Sequence, residues 1–334
     1  MFWRFPSWLI IGLAACLAAG CCPSSRAMLE DYLEGRQAVE ATSQAPIPAQ
    51  ATCPQVLSGW LDESVPVDSD WKGSETIRVL ATYSVSGDGI TLLELPPVSS
   101  KWTTWQQDVS LHQQTWDRLT SIIPAAHREG VTRFLLFSDG PAGALGAVEQ
   151  SSRPGEWTLA VDIQDAGDLP SLATTLIHET AHLVSLDDAQ VEAYLPLFEH
   201  PEDATLFEQG DTACTTYFIH EGCSQPESYL NLFFEQFWGG IYGEWSTIRL
   251  DRDADSRLRW LADFHDRHAD EFVSSYAAFS PEEDLAESFL YFVLGEESTG
   301  KPAADGKIRF FRQFPELVTL RQQLRLNLCT LWEP

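Results

Sequence analysis

Hydrophobic residues recur along this chain with two spacings, which together predict an α+β protein that is mostly helical with a small mixed sheet. Alternating or continuous apolar residues predict strands at 75–85, 89–95, 131–137 and 157–163, the first two joined as a hairpin. Apolar residues mostly three to five positions apart predict helices at 105–123, 171–186, 253–269 and 281–294. The aromatic-rich region 183–277 is typical of helical core, with the wall of a substrate groove as the alternative.

The same spacings predict which side chains of two helices face inward. In the helix at 105–123, the side chains expected to face the core are those of Val109, Trp116, Leu119 and Ile123. In the helix at 253–269, the side chains expected to face inward are those of Leu258, Trp260, Leu261, Ala262 and His265.

The segment 157–163 alternates apolar and polar residues and directly precedes the helix at 171–186. We interpret it as the edge strand of the sheet, which in that position can hold an extended peptide through main-chain hydrogen bonds. The preceding residues 139–146 are rich in glycine, but no Lys-Ser/Thr pair follows them as in a phosphate-binding loop. We therefore interpret 139–146 as a plain loop.

The helix at 171–186 contains the motif His178-Glu179-Thr180-Ala181-His182. Side chains four positions apart project from one face of a helix, so both imidazoles can reach a single metal ion. Glu179 then lies beside that ion, where it can take a proton from activated water. A five-residue motif also arises by chance, but its position on a buried helix favours a zinc site over two core histidines.

A catalytic zinc ion needs a third protein ligand. Asp188, six positions after His182, occupies the place of the third ligand in the long metzincin motif and is one alternative. The stronger alternative is the segment 280–292, where Ser280 and Pro281 are typical of a helix start. Glu283 and Glu287 then lie four positions apart on one face of that helix.

These two helices together resemble the gluzincin metallopeptidases, in particular the anthrax lethal factor catalytic domain and the secreted Pro-Pro endopeptidases. Segment 272–289 also resembles uncharacterised exported bacterial proteins described as zinc metallopeptidases. The resemblance implies a zincin-like fold and a zinc ion held by His178, His182 and Glu283. It implies that Glu287 is the partner of a ligand histidine, although the roles of the two glutamates could be exchanged.

The resemblance also implies a role for Tyr276, which lies seven positions before Glu283. Its phenol would donate a hydrogen bond to the oxyanion that forms during peptide hydrolysis; packing at a loop is the alternative role. The interval 178–283 is longer than in those relatives. The expected activity is zinc-dependent endopeptidase cleavage of a peptide or protein substrate. A non-catalytic surface binding protein on a metallopeptidase fold is the alternative.

Charge excludes one class of partner. The chain of 334 residues carries 49 acidic and 21 basic residues, for a net charge of −28 and a pI near 4.4. Nucleic-acid binding requires clustered Lys and Arg, which this chain lacks. We interpret the dispersed acidity as a source of solubility in an exported protein, with a weaker preference for basic substrates.

The N-terminus predicts export. Residues 1–20 read as a lipoprotein-type signal peptide, in which the small residues 18–20 precede Cys21 as the lipidated residue. Cys16 also fits such a signal but leaves a short apolar region, and a plain signal peptide is the further alternative. Residues 21–52 read as a flexible tether and 53–334 as the metallopeptidase domain. We expect a bacterial cell-envelope lipoprotein on the extracytoplasmic side of the membrane.

Four cysteines follow the tether, and in an oxidising compartment an even number predicts disulfides. Cys214 and Cys223 are close in the sequence and are expected to pair, which leaves Cys53 to pair with Cys329. No pair has the spacing of a thiolate zinc site.

Overall fold

The computed structural model describes residues 53–63, 77–140, 144–201, 203–250, 253–295 and 299–332. Within these ranges the chain has an α+β fold, as the hydrophobic spacing predicted. The strands are β1 (Arg78–Ser86), β2 (Gly89–Glu94), β3 (Val131–Ser138), β4 (Gly146–Gln150), β5 (Trp157–Asp162), β6 (Val191–Ala193) and β7 (Gly222–Ser224). The helices are α1 (Cys53–Glu63), α2 (Thr103–Gln107), α3 (Val109–Ile122), α4 (Leu169–Ser185), α5 (Leu195–Glu199), α6 (Ala204–Ala213), α7 (Tyr229–Phe237), α8 (Tyr242–Arg249), α9 (Ala254–Arg267), α10 (Pro281–Leu294), α11 (Pro302–Phe310) and α12 (Pro315–Leu331).

The main sheet of the described chain has five strands in the order β2-β1-β3-β5-β4. Strands β3 and β5 are parallel and the other neighbours are antiparallel, so the sheet is mixed. The strand that directly precedes the motif helix is β5, and it lies inside the sheet with every residue buried. The edge strands are β2 and β4, and β4 begins at Gly146, the last residue of the segment 139–146 that was interpreted as a plain loop. The edge position predicted for 157–163 is therefore wrong, because Gly146–Gln150 pairs with its outer side.

The motif helix α4 packs most extensively against α10, and both helices are buried on nearly all sides. The side chain of Asp168 caps α4 by accepting a hydrogen bond from the Ser171 N–H at 3.0 Å. Ser280 caps α10 by accepting from the Glu283 N–H at 3.2 Å, with Pro281 at the first helical position. The helix start predicted at Ser280 and Pro281 is confirmed.

A buried ion pair joins α10 to α11. The Lys307 ammonium of α11 lies 2.5 Å from the Asp284 carboxylate, and both side chains are fully buried. The Trp238 indole N–H donates to the same carboxylate at 2.8 Å. Trp238 and Phe233 are themselves fully buried, so the aromatic-rich region forms helical core in this part. Asp284 is the residue that follows Glu283, so this ion pair and hydrogen bond restrain α10 directly beside Glu283.

Three predictions about inward-facing residues are wrong. Val109 is 57% exposed because the helix predicted at 105–123 is interrupted at Asp108, which caps a new helix that begins at Val109. On α9, Trp260 is 51% exposed and Ala262 is also exposed, whereas Leu261, as predicted, and Phe264 are buried.

Two disulfides join the cysteines that follow residue 52. Cys53 on α1 pairs with Cys329 on α12, and Cys214 pairs with Cys223, as the spacing favoured. Disulfides persist in oxidising compartments, which indicates an extracytoplasmic location.

The N-terminal predictions lie outside the described residues: the signal segment 1–20, the lipidated Cys21 and the tether 21–52. In the described ranges, no helix combines the length and the apolar character that a membrane crossing requires.

Candidate metal centre

Three side chains from two helices converge on one point. The Nε2 atoms of His178 and His182 are 3.1 Å apart, and the Glu283 Oε2 lies 3.0 Å from the first and 3.4 Å from the second. The three ligand atoms all lie within 4.8 Å of one another. Two imidazole nitrogens and one carboxylate oxygen are the donor set that Zn²⁺ accepts in three-ligand sites. The residues therefore form a largely buried group that could hold a metal ion.

Glu287 contacts the same histidine from the other side of the ring. Its Oε1 lies 2.9 Å from the His178 Nδ1, so the imidazole is held between Glu287 and Glu283. The Ser274 hydroxyl donates to the second oxygen of Glu287 at 2.5 Å and accepts from the Ala277 N–H at 3.2 Å. A carboxylate on the outer nitrogen of a ligand imidazole fixes its tautomer and orientation.

The pKa of each ionisable residue in this group depends strongly on the charge of its neighbours. Burial alone would raise the pKa of Glu283, but His182 and His178 hold it well below its usual range. Burial alone would lower the pKa of His178, but Glu283 and Glu287 raise it well above its usual value. Because a metal ion must displace protons from such ligands, we expect metal affinity to fall as the pH falls.

The Glu179 carboxylate lies against the edge strand. Its Oε2 accepts a hydrogen bond from the Val148 N–H of β4 at 2.7 Å. Burial raises the pKa of Glu179, against the lowering effect of His178 and His182. Strand β4 can come this close to α4 because Gly146 has no side chain: a Cβ there would lie 2.7 Å from the Thr175 Cγ2.

Tyr276 lies beside the first histidine, in a short 3₁₀ turn before α10. Its ring centroid is 5.7 Å from that of His178. Burial, Glu283 and Glu179 raise the pKa of Tyr276 well above its ordinary value. The phenol is therefore protonated at neutral pH and able to donate a hydrogen bond.

Three further carboxylates lie near the group: Glu149 on β4, Glu221 directly before β7 and Glu282 on α10. Burial and Glu221 raise the pKa of Glu149 to about 7. Burial and Glu282 raise the pKa of Glu221 to about 7, against the opposing effect of His182. Glu282 is the residue before Glu283, and it accepts a hydrogen bond from the Tyr217 hydroxyl at 3.1 Å. Among the described residues, no Lys or Arg forms an ion pair with these three carboxylates, which we call the acidic rim.

The structure brings together the five residues that the sequence analysis assigned to the reaction or its metal, and Glu287 with them. The alternative ligand Asp188 lies elsewhere: its carboxylate packs against Gly155, where a Cβ would be 2.6 Å from the Oδ2. Sequence reasoning missed the Val148 N–H, Ser274 and the acidic rim. Val148, Ser274, Glu149 and Glu221 reach the site from separate strands and loops, so no local pattern identifies them, whereas Glu282 is the neighbour of Glu283 on α10.

Comparison of the chain with protein-family models, with curated proteins and with solved structures finds no match. The geometry itself establishes a His178–His182–Glu283 group that could bind a metal ion.

Proposed function

We propose that this protein is an exported, lipid-anchored zinc endopeptidase of gluzincin type. The observation that carries the proposal is the convergence of His178, His182 and Glu283 with Glu179 immediately beside them. His178, His182 and Glu283 would hold the ion, and Glu287 would orient the His178 ring. When bound, zinc supplies Lewis acidity toward a carbonyl group and lowers the pKa of water.

The remaining chemistry belongs to side chains of this chain. Glu179 takes the proton of the attacking water and delivers it to the leaving amine. Its raised pKa brings it nearer to neutral pH, where proton transfer in both directions is efficient. Tyr276 donates a hydrogen bond to the oxyanion of the tetrahedral intermediate.

The edge strand β4 is the surface on which we place the substrate. In an antiparallel edge strand, alternate residues direct their N–H and C=O groups away from the partner strand. The Val148 N–H points outward to Glu179, so the peptide groups of Gly146 and Gln150 face the same open side. An extended peptide that pairs with this edge runs past Glu179.

One experiment tests the proposal. The purified protein is analysed for bound zinc and is incubated with a mixed peptide library, in parallel with Glu179→Gln. Stoichiometric zinc and cleavage that Glu179→Gln abolishes are the expected results. Zinc without any cleavage would favour the alternative, a binding protein on a metallopeptidase fold. A protein that takes up no zinc would overturn the proposal.

Replacing Tyr276 with phenylalanine is expected to lower kcat on the order of a hundredfold, about 3 kcal/mol of barrier, because one oxyanion donor is lost. Zinc content should not change. Tyr194→Phe removes a phenol hydroxyl outside the group and serves as the control. A fully active Tyr276→Phe would mean that the residue only packs there.

The acidic rim favours a substrate that carries a positive charge near the scissile bond, because three carboxylates without a cation are costly to keep ionised. We compare peptides that carry either lysine or norleucine at one position and are otherwise identical. At one such position we expect lysine to raise kcat/KM about tenfold, because it gains roughly one charged hydrogen bond. Glu221→Gln should make the kcat/KM values of the lysine and norleucine peptides nearly equal. Glu208→Gln, which changes an exposed glutamate, should leave the difference between them unchanged. A lysine preference that survives in Glu221→Gln would contradict this role.

A further inference from the structure

One hydroxyl group joins the metal group to the turn that carries Tyr276. The Ser274 O–H donates to the Glu287 Oε2 at 2.5 Å, and the Ser274 Oγ accepts from the Ala277 N–H at 3.2 Å. The second of these bonds closes the backbone around Tyr276, which lies between Ser274 and Ala277 in the sequence. Ser274 therefore contacts both α10 and the turn before it through the same oxygen atom.

The directions of these hydrogen bonds follow from the chemistry of the groups. A backbone N–H can only donate, so the Ser274 oxygen accepts from Ala277 and its own proton points to the carboxylate. Glu287 accepts this O–H at one oxygen, and its other oxygen lies 2.9 Å from the His178 Nδ1. A carboxylate in that position favours the tautomer with the proton on Nδ1, which leaves Nε2 available to a metal ion. The contacts thus run from the turn to the atom that would bind zinc.

The orientation of the Glu287 carboxylate depends on Ser274. Glu287 is only 9% exposed, so little water is available to its second oxygen. Within the described part of the chain, the Ser274 hydroxyl is the only group that donates to that oxygen. Without the hydroxyl, the carboxylate can rotate about its last torsion and a buried oxygen loses its partner. Both changes weaken the hold of Glu287 on the imidazole.

The segment that contains the turn is held independently at its two ends. The Trp245 indole N–H donates to the Phe279 carbonyl at 2.8 Å, and the Lys301 ammonium donates to the Phe272 carbonyl at 3.1 Å. The bond from the Ser274 hydroxyl lies between these two anchors. Its loss is therefore expected to move the middle of the segment without unfolding it.

We propose that Ser274 is a positioning residue that fixes the His178 imidazole and the Tyr276 phenol relative to each other. This inference rests on the proposed function, in which His178 binds zinc and Tyr276 donates to the oxyanion. The two rings are adjacent, with centroids 5.7 Å apart. Ser274 orients the first ring through Glu287 and the second through the backbone of the turn. An oxyanion donor acts only within hydrogen-bond distance of the place that the oxyanion will occupy, so a small displacement lowers kcat.

The first measurement is the zinc affinity of the purified protein in competition with a chromophoric chelator, which needs no substrate. Ser274→Ala is expected to weaken zinc binding about tenfold, as is typical when the partner of a ligand histidine is disturbed. Ser274→Thr keeps the hydroxyl and should bind zinc nearly as the wild type does. Ser275→Ala changes the exposed neighbouring serine and is the matched control. In a Glu287→Ala background, Ser274→Ala should cause no further loss, because its effect passes through that carboxylate.

The second measurement separates kcat from KM at saturating zinc. Ser274→Ala should lower kcat about tenfold and change KM less than about twofold, because the hydroxyl orients reacting groups without touching the substrate. In a Tyr276→Phe background the same change should lower kcat less than about threefold, since the donor that it positions is already absent. If Ser274→Ala does not fold, Ser274→Cys takes its place, because its S–H is only a weak donor.

Two results would contradict this role and leave the proposed function in place. One is a Ser274→Ala protein that binds zinc and cleaves peptide as well as Ser275→Ala does. The other is an equal loss of zinc affinity from Ser274→Ala with and without the Glu287 side chain, since the hydroxyl would then not act through the carboxylate. A wild-type protein that takes up no zinc would overturn the proposed function and this inference together.

Discussion

Replacement of Glu179 by glutamine is expected to lower kcat/KM at least about a thousandfold, roughly 4 kcal/mol of barrier, while bound zinc stays at the wild-type level. Glutamine has the size and shape of glutamate and can still accept the hydrogen bond from the Val148 N–H. It cannot take a proton at neutral pH. The change therefore removes the general base and leaves the metal group and the edge strand in place.

The measurement combines kcat/KM on a cleaved library peptide with the zinc content and thermal midpoint of the same preparation. Glu208→Gln, which makes the same chemical change on the exposed surface of α6, should be as active as the wild type. Activity of Glu179→Gln within about tenfold of the wild type would mean that another group moves the proton. If Glu179→Gln lost its zinc as well as its activity, Glu179 would be needed for metal binding.

Removal of Glu283 is expected to abolish stoichiometric zinc binding, whereas removal of Glu287 should only weaken it. The Glu283 carboxylate lies 3.0 and 3.4 Å from the two Nε2 atoms that would bind the ion. Glu287 reaches only the outer nitrogen of His178, at 2.9 Å. Loss of a partner in that outer position typically costs 10–100-fold in metal affinity, about 1.4–2.7 kcal/mol.

Zinc content after dialysis against a zinc buffer distinguishes these outcomes in Glu283→Ala, Glu287→Ala and Asp188→Ala. Asp188→Ala is the control and should retain the wild-type content. Loss mainly in Glu287→Ala would exchange the roles of the two glutamates. Zinc retained by both glutamate variants but lost in Asp188→Ala would assign the third ligand to Asp188.

Local rules account for the elements that the sequence predicted well. The hairpin β1–β2, the motif helix and the helix that begins at Pro281 follow from apolar spacing, turn residues and capping residues. Those signals act over a few residues, and they also place His178 and His182 on one face of α4. The predicted disulfides follow from the few ways in which four cysteines can pair.

The failures have two causes, a local capping signal and a tertiary contact. Val109 fits an apolar stripe, but the Asp108 cap starts a new helix there and leaves Val109 exposed. Strand β4 is only five residues long and has one glycine, so its own sequence gives a weak strand signal. It becomes an edge strand because β5 offers it a partner and Gly146 allows close approach to α4.

By itself, the sequence determined that one helix presents two histidines to a single point and that Glu283 and Glu287 share a face of another helix. Helical periodicity fixes both facts, because it depends only on the spacing of neighbouring residues. The tertiary structure alone decided that Glu283 meets the Nε2 atoms while Glu287 meets the Nδ1 of His178. That distinction depends on how α10 packs against α4 across more than a hundred residues of chain, and spacing within either helix carries no information about it.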